Sequence, residues 1–342
     1  MIDWDLAVGV AHRLAGDGPS VPREEARAVV AELREAAVAS VAPVREFTGL
    51  HTPPEREAPV LVVDRRAWAQ ANTEAFAVLM EPLVEQMTSR VTPGPIARGI
   101  GSRITGLEVG GLLGFLAGKV LGQFDPFAAP DGRLLLVAPN IVQVERELDV
   151  DPHDFRLWVC LHEETHRVQF TAVPWLRDHL HAQVETLAGM VSPAGLDDLV
   201  ARVAGGLREL GPGRSGGSLV DLLSTPEQRA VLDGVTGMMS LLEGHADVVM
   251  DGVGPAVVPS VALIRERFTQ RRRSVGGLDR VLRRLLGFEA KLAQYRDGAG
   301  FVRGVVDRVG MEQFNAVWAE PAHLPTKAEI ADPAAWVTRV LG

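Results

Sequence analysis

Between Asp151-Pro152 and Pro174 the chain has little freedom. Aspartate followed by proline makes an N-cap with a first-turn proline, and the next breaker is Pro174, so a helix is expected over about 152–172. Leu157, Trp158, Cys160 and Leu161 give it apolar cover, with Val168 and Phe170 farther along. Mid-helix stands His162-Glu163-Glu164-Thr165-His166. Histidines four apart on a helix lie about 40° apart around its axis, one turn above each other, so both imidazoles can reach one ion. Glu163 lies about 100° round from His162 and is placed to address a water on that ion rather than the ion itself. The pattern suits a zinc site with His162 and His166 as ligands and Glu163 as general base. The competing reading is a polar helix face without metal.

A catalytic zinc site needs a third protein ligand and an open position for water. The chain departs from the metzincin pattern, because Gln169 stands where glycine is needed and Ala172 where a third histidine would be. Glu185 follows His166 by 19 residues, and Glu243 lies farther on, in Glu243-Gly244-His245-Ala246-Asp247. Glu243 and Asp247 share one helix face a turn apart. Glu243 can then bind the metal while Asp247 orients a ligand histidine through its second ring nitrogen. Glu185 has Gly189 where such a partner would stand, and His245 lies about 200° round the helix from Glu243. Glu243 is the expected third ligand, with Glu185 and His245 as alternatives. Apolar Leu241, Leu242, Val248 and Val249 around it speak against a merely solvated acidic face.

Composition narrows the classes. The chain has 342 residues, 46% hydrophobic and 23% charged, which suits one large or two modest globular domains. A net charge of −9 argues against a phosphate-backbone binder, so no nucleic-acid partner is expected. Cys160 is the lone cysteine, so no intrachain disulfide forms, and it is better placed as a small core residue than as a nucleophile. The N-terminus carries Asp3 and Asp5 instead of a basic n-region; it does not look secretory, and a cytoplasmic protein is expected. The apolar, glycine-spaced stretch 104–124 is interrupted by Glu108 and Lys119. Each would cost a few kcal/mol in lipid, so a buried helix with close-packing glycines is expected, and no stable membrane span.

Helical periodicity dominates the rest. Residues 22–47 open with a first-turn proline and carry apolar positions at helical spacing; 59–87 hold a short β-rich run and then a long helix. After the turn at Asp131-Gly132, Leu134 to Val137 predict a strand, either in the core or binding an extended substrate by strand addition. A helix follows Pro174, 204–218 is the clearest flexible stretch, and Thr225-Pro226 opens the helix bearing Glu243. The remainder, 255–342, is helical. Its arginines 265, 267 and 271–273 form either a solvated face or a surface for an acidic substrate or partner.

Six stretches carry a family likeness: "VLGQFDP" (120–126), "LLLVAPNI" (134–141), "HEETHRVQF" (162–170), "EGHADVVMD" (243–251), "LLGFEAKLAQY" (285–295) and "LPTKAEI" (324–330). Over most of its length the chain resembles the zincin-like metallopeptidases of actinobacteria and relatives, a group associated with biosynthesis of the deazaflavin coenzyme. The two metal stretches also suit gluzincin peptidases generally. The resemblance implies a mainly α protein: a helical N-terminal domain (1–130), then a zincin-like catalytic domain (131–342) with a short β element before the active-site helix. It implies zinc on His162, His166 and Glu243, with Glu163 as base. Tyr295, the only tyrosine, lies in a family-like stretch and is a candidate oxyanion donor; His179 and His181 are better placed as surface or core residues. The expected function is a zinc-dependent metallopeptidase or amide hydrolase acting on a peptide or amide substrate. The alternatives are a non-catalytic zinc protein using the same ligands and a helical scaffold without metal.

Overall fold

The computed structural model describes residues 2–56, 58–90, 95–190, 226–273 and 288–342. In chain order these form α1 (Trp4–Leu14), α2 (Arg23–Thr48), β1 (Val60–Val63), α3 (Arg65–Arg90), α4 (Pro95–Ala117), β2 (Gly122–Asp125) and β3 (Arg133–Val137). Then come α5 (Ala138–Leu148), α6 (Pro152–Ala172), α7 (Leu176–Met190), α8 (Pro226–Val253), α9 (Val261–Arg273), α10 (Phe288–Phe314), α11 (Lys327–Ala331) and α12 (Pro333–Leu341). The fold is mainly α, as expected. The stretch 204–218 lies outside the described residues.

Helix α6 occupies the expected span, with the Asp151 carboxylate accepting the Asp154 amide at 2.9 Å. It is packed by α2, α5, α8 and the strands β2 and β3. Burial on so many sides forces its charges to find partners inside. Arg156 donates to both carboxylate oxygens of Glu145 on α5, at 3.0 and 2.6 Å, and also to Glu32 on α2. Arg167 donates to Glu164 at 2.6 and 2.9 Å and to the Ala58 carbonyl at 3.0 Å. Removing one partner of such a pair costs roughly 3–5 kcal/mol. The contacts of Arg156 to α5 and α2, and of Arg167 to Ala58, leave the helix and so fix the rotation of α6 about its axis.

The sheet has the order β1-β3-β2. Strand β1 runs parallel to β3, with Val60 opposite Leu134, and β2 runs antiparallel to it, with Gly122 opposite Leu136. Leu134 to Val137 are buried, as befits a central strand covered on both faces. This settles the choice left by the sequence: β3 is a core strand paired on both sides, and it has no edge for strand addition. The sheet draws β1 and β2 from before residue 130 and β3 from after it.

The segment 104–124 divides. Helix α4 stops at Ala117, and the chain turns so that Gly122–Asp125 can pair with β3, which a continuous helix would have left without its second neighbour. Only one face of α4 is buried; Ile104 and Leu107 on the other are 51% and 49% exposed. The buried face packs on α1. A Cβ on Gly106 would lie 2.5 Å from the Asp3 carbonyl, and one on Gly110 would lie 2.4 Å from that of Ala7. Among the described residues no helix is long and apolar enough to cross a membrane.

The arginines of α9 meet carboxylates of this chain: Arg265 with Asp251 at 2.8 Å, Arg267 with Asp149 at 3.1 Å and Arg271 with Glu147 at 2.8 Å. The side chains of Arg272 and Arg273 lie outside the described residues. The "LPTKAEI" stretch forms a capping box, in which Thr326 and Glu329 satisfy each other's backbone at the start of α11.

Gly110→Val should lower stability by about 1–3 kcal/mol in denaturant unfolding, because the new side chain meets α1 backbone. Gly111, with nothing within 4 Å, is the control. Gly111→Ala should be neutral or stabilising by up to about 1 kcal/mol.

Candidate metal centre

Helices α6 and α8 cross antiparallel: His162 lies by Met250, while Gln169, two turns on, lies by Leu242 and His245. This crossing brings together His162, His166 and Glu243. The two histidine Nε2 atoms are 3.2 Å apart, and each is 3.5 Å from Oε2 of Glu243. A tetrahedral zinc ion with bonds of about 2.0–2.1 Å needs donor atoms about 3.3 Å apart, which these spacings match. The histidine–glutamate separations are long for N–H···O bonds, whose usual range is about 2.7–3.2 Å. The donor set of two imidazoles and a carboxylate is itself a common zinc set. The His162 side chain is 26% exposed and gives the cluster its opening to solvent.

The charges are strongly coupled. Burial works against a proton on His166, but Glu243 beside it, helped by Glu163, outweighs that and pushes its pKa up to about 9. Burial likewise opposes charge on Glu243, yet the two imidazoles hold it well below the ordinary carboxylate range. Three groups so placed favour a cation among them, whether proton or metal.

Glu163 is only 6% exposed. Burial, reinforced by the negative charge of Glu243, pushes its pKa up against the pull of the two histidines. Its cover is strand β2: a Cβ on Gly122 would lie 2.6 Å from Glu163 Cγ and 2.7–2.8 Å from its carboxyl group. Glycine at that position lets the backbone pass directly over the carboxylate.

The second ring nitrogens have partners that the sequence did not suggest. His162 Nδ1 faces the Met250 sulfur at 3.3 Å, and His166 Nδ1 faces Gln169 Oε1 at 3.0 Å. Asp247 was expected in that role. Its own contact is through the backbone, where its carbonyl accepts from Arg265 at 3.0 Å. On antiparallel helices Met250, seven residues past Glu243, is the one level with His162.

His245 lies behind the cluster, fully buried, with its ring stacked on Phe314 at 5.5 Å and tilted against Trp318. Burial and the proximity of His166 depress its pKa to about 3, so it stays neutral. Glu185 is exposed on α7, paired with His181 at 3.5 Å, and takes no part in the cluster. Cys160 is buried in the core, and burial pushes its thiol pKa up, away from nucleophilic use. Tyr295 belongs to α10, but its side chain lies outside the described residues.

The chain has counterparts among known proteins. Residues 2–337 match the family described as zincin-like metallopeptidase. The chain belongs to that family. A solved structure from Chloroflexus aurantiacus, described as "a putative hydrolase with a novel fold", is 32% identical, with a TM-score of 0.72 over 99% of this chain and 98% of that one. No curated protein matches the chain.

Of the residues missed, one left a signal. Gln169 stands three places after His166, hence on the same helix face. Gly122 opens β2 in a stretch that reads as helix, and neither it nor Met250 left one.

Gly122→Ala should destabilise the protein by about 1–3 kcal/mol through overpacking on Glu163. In a Glu163→Ala background most of that cost should vanish, so a double-mutant cycle on the unfolding free energies should give a clear coupling.

Proposed function

We propose that this protein is a zinc-dependent hydrolase of amide bonds, most simply a metallopeptidase. The observation that carries the proposal is the spacing of three donor atoms, 3.2, 3.5 and 3.5 Å, at about the edge length of a tetrahedron around one zinc ion. Family membership supports it, as does the likeness to the Chloroflexus aurantiacus hydrolase.

His162 and His166 would hold the ion through Nε2, and Glu243 through its carboxylate. When bound, zinc supplies Lewis acidity, lowering the pKa of water towards about 7 and polarising a carbonyl. Glu163 does the proton work: its carboxylate takes a proton from the attacking water and returns it to the leaving amine. The raised pKa of Glu163 makes it a stronger base than an exposed carboxylate. Tyr295 is the proposed donor to the developing oxyanion. Strand β2 supports a peptide substrate. It lies over Glu163 and, among the described strands, pairs only with β3, so its other edge suits an extended peptide. On this view residues 131–342 supply every metal-facing group, and residues 1–130 contribute the strand that frames them.

One observation favours the second reading, a non-catalytic zinc protein. The carboxylate that must reach the water is nearly closed off beneath Gly122.

Metal analysis of protein purified without chelator should show one zinc per chain. Glu243→Ala should weaken zinc binding strongly, with Glu185→Ala near wild type; the reverse would move the third ligand to Glu185. Glu163→Gln should retain zinc and lose at least about a hundredfold in hydrolysis of a peptide-library substrate. Full activity in that variant would reject the mechanism, and a filled site with no hydrolysis in the wild type would favour the second reading.

A further inference from the structure

Gln169 is fully buried, and every one of its polar atoms is engaged. Its Nε2 donates to the Leu242 carbonyl at 3.0 Å and faces His245 Nδ1 at 3.0 Å, while its Oε1 faces His166 Nδ1 at 3.0 Å. The orientation of the amide is decided by Leu242. A main-chain carbonyl only accepts, so the group beside it is the NH2 and the group beside His166 is the oxygen. His166 must therefore carry hydrogen on Nδ1. In the neutral ring, the form that binds a metal, Nε2 then has a free lone pair directed at His162 and Glu243. The same amide obliges His245 to present a bare Nδ1. Leu242 and His245 flank Glu243 on α8, so one side chain sets the tautomer of a histidine on α6 and ties it to the helix of the third donor.

We propose that Gln169 is the positioning residue of the metal centre, holding His166 in the Nδ1–H form that frees Nε2 for the ion. The proposal rests on the reading of His162, His166 and Glu243 as ligands. A buried glutamine that only satisfies the core would make the same contacts without governing metal binding, and the two roles separate experimentally. Partners of this kind typically contribute 10–100-fold to metal affinity.

The test uses the full chain with zinc. Long-range 1H–15N correlation spectra of the zinc-loaded wild type should show His166 protonated on Nδ1 and coordinated through Nε2; coordination through Nδ1 overturns the proposal. Zinc affinity is then measured by competition with a chromophoric chelator. Gln169→Met keeps the volume but removes the hydrogen bonds, and its affinity should fall by about 10–100-fold. Gln169→Glu keeps an acceptor for His166 Nδ1–H while losing the neutral donor to Leu242; its affinity should stay near wild type even as its melting temperature falls. Equal affinity in the Met variant overturns the proposal, as does an equal loss in both variants. Should the Met variant fail to fold, the wild-type spectrum and the Glu variant still decide. Failure of the wild type to take up zinc would instead defeat the ligand reading itself, and this inference with it.

Discussion

A helix packed by neighbours on so many sides cannot leave a charge to water, and α6 carries several. Arg156 is held by Glu145 and Glu32, and Arg167 by Glu164 and the Ala58 carbonyl. Turning α6 by one residue, about 100°, would take Arg156 from Glu145 and Glu32 and the Arg167–Glu164 pair from the Ala58 carbonyl, leaving the Arg156 charge buried and unpaired. The face bearing His162 and His166 is thereby committed to α8. The geometry of the cluster is thus a consequence of ion pairs that do not touch it. Helix propensity would have supplied the element but not its rotation.

The local chemistry of this fold is written in short stretches, and those were legible. Asp151-Pro152 and Pro174 bound α6 because an N-cap and a missing N–H act within one turn. The strand at Leu134 to Val137 could be read from its apolar run and the turn before it. Its place at the centre of the sheet could not, because that depends on β1, more than 70 residues earlier, arriving in parallel register. The end of α4 was misjudged for the same kind of reason. "KVLGQF" continues an apolar helix by composition, and only the demand of β3 for an antiparallel neighbour turns Gly122–Asp125 into a strand.

The cluster was legible where it depends on spacing along one helix, and less so where it depends on a crossing. His162 and His166 need only the i, i+4 relation. Glu243 could be preferred to Glu185 because Asp247 stands one turn on where Glu185 has Gly189, and because its apolar neighbours spoke against a solvated face; in the structure it lies 3.5 Å from both imidazoles. Asp247 was expected at a ring nitrogen because it shares a face with Glu243. A shared face, however, does not say which residue is level with which histidine; the antiparallel crossing gives that place to Met250. Gln169 was visible only as a departure from another family's pattern, although its distance from His166 already placed it in reach.

That a neutral amide stands at His166, and not the commoner carboxylate, follows from the charges already present. Glu163 and Glu243 lie in a confined, largely buried volume, where burial and then the charge of Glu243 raise the cost of ionising Glu163. A carboxylate at position 169 would add a third negative group without any exposure to screen it. Two carboxylates with one divalent cation are neutral in sum; three are not. The burden would fall on Glu163, whose pKa burial already raises, and a base pushed far enough is protonated at working pH and can accept nothing. Gln169 gives direction to the imidazole without that charge. The orientation of His166 and the basicity of Glu163 are therefore compatible in this fold because the residue that secures the first is electrically silent towards the second.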